Sequence, residues 1–380
     1  MRSGYHRPAP GQSISYGVPA RQAVPDAIRQ LCLTRVVLVT NRSLANSGGL
    51  IEGIRAAIGA AYSGEFDAVR AHVPRENVTG IATLLRDTEA DGVVGLGGGS
   101  VCDAIKAARL CLANNILDHQ EMDRLLPPFP AADPRPPYIM IPTTLSAGEY
   151  TSIAGFTNEA ESRKQGYFHA EIAPSIVILD ARMTLATPPR LWHGTGMRSI
   201  DHIVETWCST NSTPLSDATT LHAASLLPNA LLASRKDPDD MASRLDCQIG
   251  AWLASQGMAA GVNMGASHGI GHALGGVAGM PHGETSCVML PHVLRFNASA
   301  NNDRQSALLE AMGSKEAALD DAVAQLVSVL GLPARLRDAG VRRDNLPHIA
   351  EVALRDAWVQ ANPRPIPDVQ TLGALLECAW

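Results

Sequence analysis

The chain has 380 residues, 46% hydrophobic and 18% charged, with net charge −6, so it is long enough for two cores and carries no basic footprint for nucleic acid. No apolar run approaches the roughly 18 residues of a membrane span, and the opening MRSGYHRPAPGQ has no hydrophobic segment of signal-peptide length, which points to a cytoplasmic protein with no membrane partner. Seven cysteines, an odd number without CxxC spacing, exclude a disulfide framework and a cysteine metal site and read as reduced thiols.

In chain order, the apolar run VVLVT from Val36 predicts a buried strand ending at Asn41, Arg42 and Ser43, and LIEGIRAAIGAAY has helical spacing. NVTGIATLLRDTEA predicts a second amphipathic helix and GVVGLG a second buried strand, so the β-α-β alternation implies a parallel sheet. That strand runs through Gly97, Gly98, Gly99 and Ser100 into the helix SVCDAIKAARLCLA. Glycines there let backbone N–H groups and a helix N-terminus face a phosphate, although a tight strand-to-helix turn also needs them. Ser100 and Asp103 have capping-box-like spacing, and Lys106 reads equally as a solvated helix face. The six prolines between residues 124 and 137 predict a loop. The strand YIMIPTT ends in Thr143 and Thr144, hydroxyls placed for a ligand beyond a carboxyl end or for turn chemistry. SIVILD is one more strand, and Pro188 and Pro189 close the α/β region, giving domains at 1–187 and 188–380.

Beyond that boundary every long segment has helical spacing, up to the stretch from Leu346 to Trp358, and predicts an all-α domain. Within it the segment from Asn263 to Asn297 stands out. His268, His272 and His282 fall within 15 residues, where 12 histidines in 380 predict about 0.5. His268 and His272 are four apart and share a helix face, and His282 returns after a glycine-rich bend, so three imidazoles are expected to converge. Five glycines from 269 to 279 weaken a helix by about 1 kcal/mol each, which suits a close approach by a ligand or another backbone. Arg198 and His202 are likewise four apart, with Asp201 turned roughly 100° from His202. Arg198 alone also reads as a surface cation.

The segments GGGSVCDAIK, IPTTLSAGEYT, GMRSIDHIVE and HGIGHALGGVAGMPHG, in this order and spacing, resemble the iron-containing (group III) alcohol dehydrogenase superfamily, and within it the maleylacetate reductase branch. The resemblance implies an α/β dinucleotide-binding domain, an all-helical catalytic domain, a site in the cleft between them and a homodimer. It puts Gly97, Gly98, Gly99 and Ser100 on the pyrophosphate of NAD(P)H, Thr143, Thr144, Thr151 and Lys164 along the adenosine and ribose, and Asp103 toward the nicotinamide. Asn41 stands where NAD-preferring members often carry an Asp, which with Arg42 beside it admits NADPH. Metal-dependent members use one Asp and three His. The His positions match His202, His268 and His282, and His272 matches an additional histidine near the substrate, while the Asp position holds Arg198.

A guanidinium there repels a divalent ion by about 8 kcal/mol at 4 Å with effective ε near 20. A four-ligand metal is therefore not expected, since Asp201 could take the Asp position only if the helix were locally distorted; any metal would fall to His202, His268 and His282. Arg198 instead suits a substrate carboxylate, or the polarisation of a carbonyl, because guanidinium bonds carboxylates bidentately. The implied activity is hydride transfer to a small carboxylated oxo or enoate substrate, with His272 or, next, His268 supplying a proton. A metal-dependent alcohol or aldehyde dehydrogenase, a dehydroquinate-synthase-like lyase and a non-catalytic binding protein remain the alternatives.

Overall fold

The structure, a computed structural model, describes residues 11–126, 131–161 and 163–380. The chain divides into two compact units, Pro10–Thr187 and, among the described residues, Pro188–Trp380.

The first unit contains the strands β1 (Ser13–Tyr16), β2 (Val36–Val39), β3 (Tyr62–Phe66), β4 (Gly92–Gly97), β5 (Tyr138–Pro142), β6 (Ile153–Asn158), β7 (Arg163–Phe168) and β8 (Ile176–Leu179). Its helices are α1 (Ala20–Gln30), α2 (Arg42–Ala45), α3 (Leu50–Ile58), α4 (Arg75–Asp87) and α5 (Gly99–Ala113). Six strands pair in the order β1-β8-β5-β4-β2-β3, all parallel. Alternation along β2 explains why both faces are covered: Val36 and Leu38 join one core with Ile51 and Ile54 of α3, and Val37 and Val39 join another with Ile81 of α4 and Ile105 of α5. Outside this sheet β6 and β7 form an antiparallel hairpin, which an all-parallel expectation did not include. Residues 127–130 of the proline-rich segment lie outside the described residues, and 119–125 just before them form a 3-10 turn.

The second unit is helical, as expected: α6 (Pro189–Cys208), α7 (Pro214–Lys236), α8 (Met241–Ala259), α9 (Ala266–Ala278), α10 (His282–Ala311), α11 (Leu319–Leu330), α12 (Leu346–Ala353), α13 (Ala357–Gln360) and α14 (Val369–Ala379). The stretch from Leu346 to Trp358 is two helices rather than one, because Asp356 caps α13 by accepting from Trp358 N–H at 2.8 Å. Helix α6 is buried along nearly its whole length, so its charged side chains face neighbouring helices. Among the described residues no helix is long and apolar enough to cross a membrane, and all seven cysteines are free.

Candidate functional site

In the first unit the glycine turn joins β4 to α5. A Cβ at Gly97 would lie 2.5 Å from Val101 Cγ2 and one at Gly98 2.8 Å from Thr144 Cγ2, so close packing alone excludes a side chain at both, while one at Gly99 would be tight at 3.0 Å from Ser146 Oγ. Helix α5 begins at Gly99 with Gly98 as its cap and no capping side chain. This overturns the capping-box reading of Ser100 and Asp103. Helix geometry leaves the Gly99 and Ser100 amides of this 15-residue helix without a partner in the helix, while Val101 N–H bonds to Gly98 O at 3.0 Å, and an uncapped turn of this kind fits a dinucleotide pyrophosphate.

Asp103 accepts from Gly155 N–H, and burial pushes its carboxyl up to about 6 against the pull of Lys106 and Lys164. Thr143 and Thr144 are buried just beyond β5, and Thr151 Oγ1 donates to Gly148 O at 3.0 Å. Asn41 lies just beyond β2, the neighbour of β4, where its Oδ1 accepts from Leu44 N–H at 3.0 Å and caps α2. Lys106 is not solvated: it is fully buried.

In the second unit the four histidines and Arg198 form a chain of neighbours. His202 and His268 stack at 4.9 Å, His268 and His272 both contact the Trp358 ring, at 5.6 and 4.9 Å, and His272 stands 6.1 Å from His282. Arg198 is buried rather than a surface cation. Its Nη1 donates to Ser286 Oγ at 3.2 Å and lies 3.8 Å from Asp201 Oδ2, leaving its remaining N–H groups without a protein acceptor among the described residues. Burial lowers the pKa of Arg198, opposed by Asp201 and Glu205. Gly271 leaves room here, since a Cβ on it would meet Thr285 Oγ1 at 2.7 Å and approach Arg198 Nη1 to 3.7 Å.

Sequence reasoning gave Glu205 no role in this centre and weighed Asp201 only as a substitute metal ligand, yet both organise it. Asp201 Oδ2 accepts from Ser267 Oγ at 2.8 Å and Ser286 Oγ at 2.6 Å and lies 3.3 Å from His268 Nδ1. Glu205 accepts from the N–H groups of Gly265 and Ser267, at 2.7 and 2.8 Å, and from His268 Nδ1 at 2.8 Å. One carboxylate thus caps α9 and fixes its first histidine. The signal was present in α6, where Arg198, Asp201, His202 and Glu205 recur at helical spacing on one side.

The electrostatics separate the imidazoles. Burial and Arg198 both push His268 down, but Asp201 and Glu205 outweigh them and raise its pKa. Burial, with His268 and Arg198, drives His202 well below the ordinary value. Burial also lowers His272, whose Nδ1 is 2.9 Å from Asp356 Oδ2. His202 Nδ1, His268 Nε2 and Asp201 Oδ1 are buried without a partner among the described residues.

A divalent ion has one potential ligand group here among the described residues, and the neighbouring Arg198 opposes it. The ligand atoms within 4.8 Å of one another belong to Asp201, Glu205 and His268, not to His202, His268 and His282. Asp201 Oδ2 and both Glu205 oxygens already accept serine hydroxyls or backbone amides, Asp201 Oδ1 has no partner among the described residues, and the Arg198 guanidinium stands beside them. A second cation there would meet like charge in a medium that screens weakly.

Residues 11–181 match the family profile for iron-containing alcohol dehydrogenase, and residues 193–380 match that of the Fe-containing alcohol dehydrogenase family, C-terminal. Dehydrogenase FUM7 from Gibberella moniliformis is 34% identical over 391 aligned positions, covering 92% of each chain. Maleylacetate reductase from Pseudomonas aeruginosa is 29% identical, with 97% of this chain and 95% of the relative covered. The crystal structure of maleylacetate reductase from Agrobacterium tumefaciens is similar with a TM-score of 0.84 at 27% identity, covering 100% of this chain and 99% of that one.

Proposed function

The chain belongs to the iron-containing alcohol dehydrogenase family of oxidoreductases, and from that premise we propose that it is an NAD(P)H-dependent reductase of a small oxo or enoate acid, in the manner of maleylacetate reductase. The observation that supports this reading is the buried Arg198, whose Nη1 donates to Ser286 and pairs with Asp201 at 3.8 Å while its other nitrogens have no protein acceptor among the described residues. A bound dinucleotide would supply the hydride. In the first unit Gly97, Gly98, Gly99 and Ser100 hold its pyrophosphate, while Asn41, Asp103, Thr143, Thr144, Thr151 and Lys164 receive the rest. In the second unit Arg198 binds the substrate carboxylate or the negative charge that develops on a reduced carbonyl.

His272 is the first candidate for proton delivery. Asp356 on Nδ1 supports the ring as Nε2 passes its proton on, and a lowered pKa makes the imidazolium a stronger acid. His268 is the second, because the two carboxylates that hold Nδ1 leave Nε2 without a protein partner among the described residues. The same reading takes the protein as cytoplasmic and as a homodimer, and light scattering of the purified protein tests the dimer.

The deciding experiment follows NADH and NADPH oxidation with maleylacetate beside an uncharged aldehyde of similar size, before and after exhaustive chelation. Turnover of the acid alone, indifferent to chelation, is expected. Turnover of the aldehyde that disappears on chelation would sink the proposal and return His202, His268 and His282 to a metal.

A further inference from the structure

Lys106 sits seven residues into α5, about two turns from Gly99. Helix side chains lean toward the N-terminus, so a lysine here carries its ammonium back toward the first turn. The residue has no exposure, and Nζ donates to the carbonyls of Gly148 at 2.6 Å, Thr151 at 2.7 Å and Ile153 at 2.8 Å, with Thr151 Oγ1 at 3.2 Å. An ammonium has three N–H donors, and three main-chain carbonyls satisfy them. All three belong to the segment that follows Thr143 and Thr144 and leads into β6.

That segment lies against the glycine turn. Ser146 Oγ stands 3.0 Å from where a Gly99 Cβ would be, and a Cβ on Gly148 would be 3.9 Å from both the Gly99 Cα and Asp103 Oδ1. Ala147 enters it in the left-handed region, at φ +60°, which for a residue with a side chain requires the surroundings to hold it. The field of Lys106 also reaches two buried carboxyls, Asp103 and Glu149, and lowers the pKa of each against burial.

We propose that Lys106 is a positioning residue for the dinucleotide: its buried ammonium fastens residues 148–153 against the amino end of α5, so that this wall of the nucleotide site is formed before the cofactor arrives. Pre-organisation of this kind raises affinity by removing the entropic cost of ordering the loop on binding. The proposal rests on the dinucleotide reading of the first unit.

The test compares the full-length protein with K106M, which keeps most of the apolar stem and deletes the donors. Dissociation constants for NADH and NADPH come from fluorescence titration, and the KM values of both substrates from initial rates. A rise of about tenfold or more in the dissociation constant and KM of the dinucleotide, with the second substrate's KM within about twofold, is expected. A purely structural role would reduce the amount of active enzyme and leave the KM values alone. Wild-type protein that binds neither dinucleotide would defeat the dinucleotide reading itself, whereas wild-type binding matched by K106M would overturn the role of Lys106. If K106M does not fold, hydrogen exchange of wild-type protein decides: amides of 148–153 protected without cofactor support the proposal, and amides that exchange freely until NADH is added overturn it.

Discussion

A guanidinium at position 198 changes what the helical unit can recognise, because it presents a permanent charge in fixed planar geometry. Arg198 is held by Ser286 and by Asp201, which is itself tied to Ser267 and faces His268, so the cation is balanced and oriented before any substrate binds. Removing it should therefore act on the acid substrate and not on the dinucleotide. R198A is expected to lower kcat/KM for the acid by roughly 100- to 1000-fold, the scale of losing one oriented charge stabiliser, while NADH and NADPH affinity stays within about twofold. R198K, which keeps the charge and loses the fork, should fall between. Steady-state kinetics with titrated cofactor binding check this, and an R198A enzyme as active on the acid as wild type would remove Arg198 from the mechanism.

At the scale of elements, the segment between β5 and β6 carries a group whose ionisation opposes folding. Burial pushes the Glu149 carboxyl up from 4.5 to about 7, despite the opposing pull of Lys106. A raised carboxyl stabilises the fold in its protonated form, so this contribution is present below the unfolded value and is lost as pH climbs through about 7. E149Q stays neutral throughout. It should be more stable than wild type by about 3 kcal/mol at pH 8, with the difference shrinking to less than about 1 kcal/mol at pH 5. Urea unfolding at the two pH values measures it, and an equal difference at both would refute the assignment. The same segment shows where sequence reading stops. Strands β2, β4, β5 and β8 were legible because both faces are buried and their sequences are continuous apolar runs. β1 (SISY), β3 (YSGEF) and the hairpin β6–β7 were not, since edge and half-exposed strands mix polar with apolar residues. Lys106 reads as a solvated residue in the helical pattern, and only the carbonyls of 148–153 make it buried. His268, His272 and His282 were legible by their crowding. Asp201 and Glu205 were not, because their partners on α9 and α10 lie 60 to 85 residues away in sequence.

Across the whole molecule, chemistry is divided between two units with separate cores: the glycine turn and its fastened loop in one, the charged imidazole centre in the other. The helix α9 that supplies His268 and His272 has a particular dependence within the second. It carries four glycines from Gly269 to Gly276, lacks a capping side chain in its own sequence, and has its first amides held by Glu205 of α6, 60 residues earlier. Each glycine costs about 1 kcal/mol of helix propensity, so a peptide of this sequence has little tendency to coil by itself. In refolding, α9 is therefore expected to acquire structure only after α6 is in place, and pulse labelling should show the amides of 266–278 gaining protection later than those of 189–208; simultaneous protection would contradict it. The histidines of α9 are then among the last groups of the second unit to reach their positions, so a chain whose α6 is already helical would still lack the imidazoles of that centre.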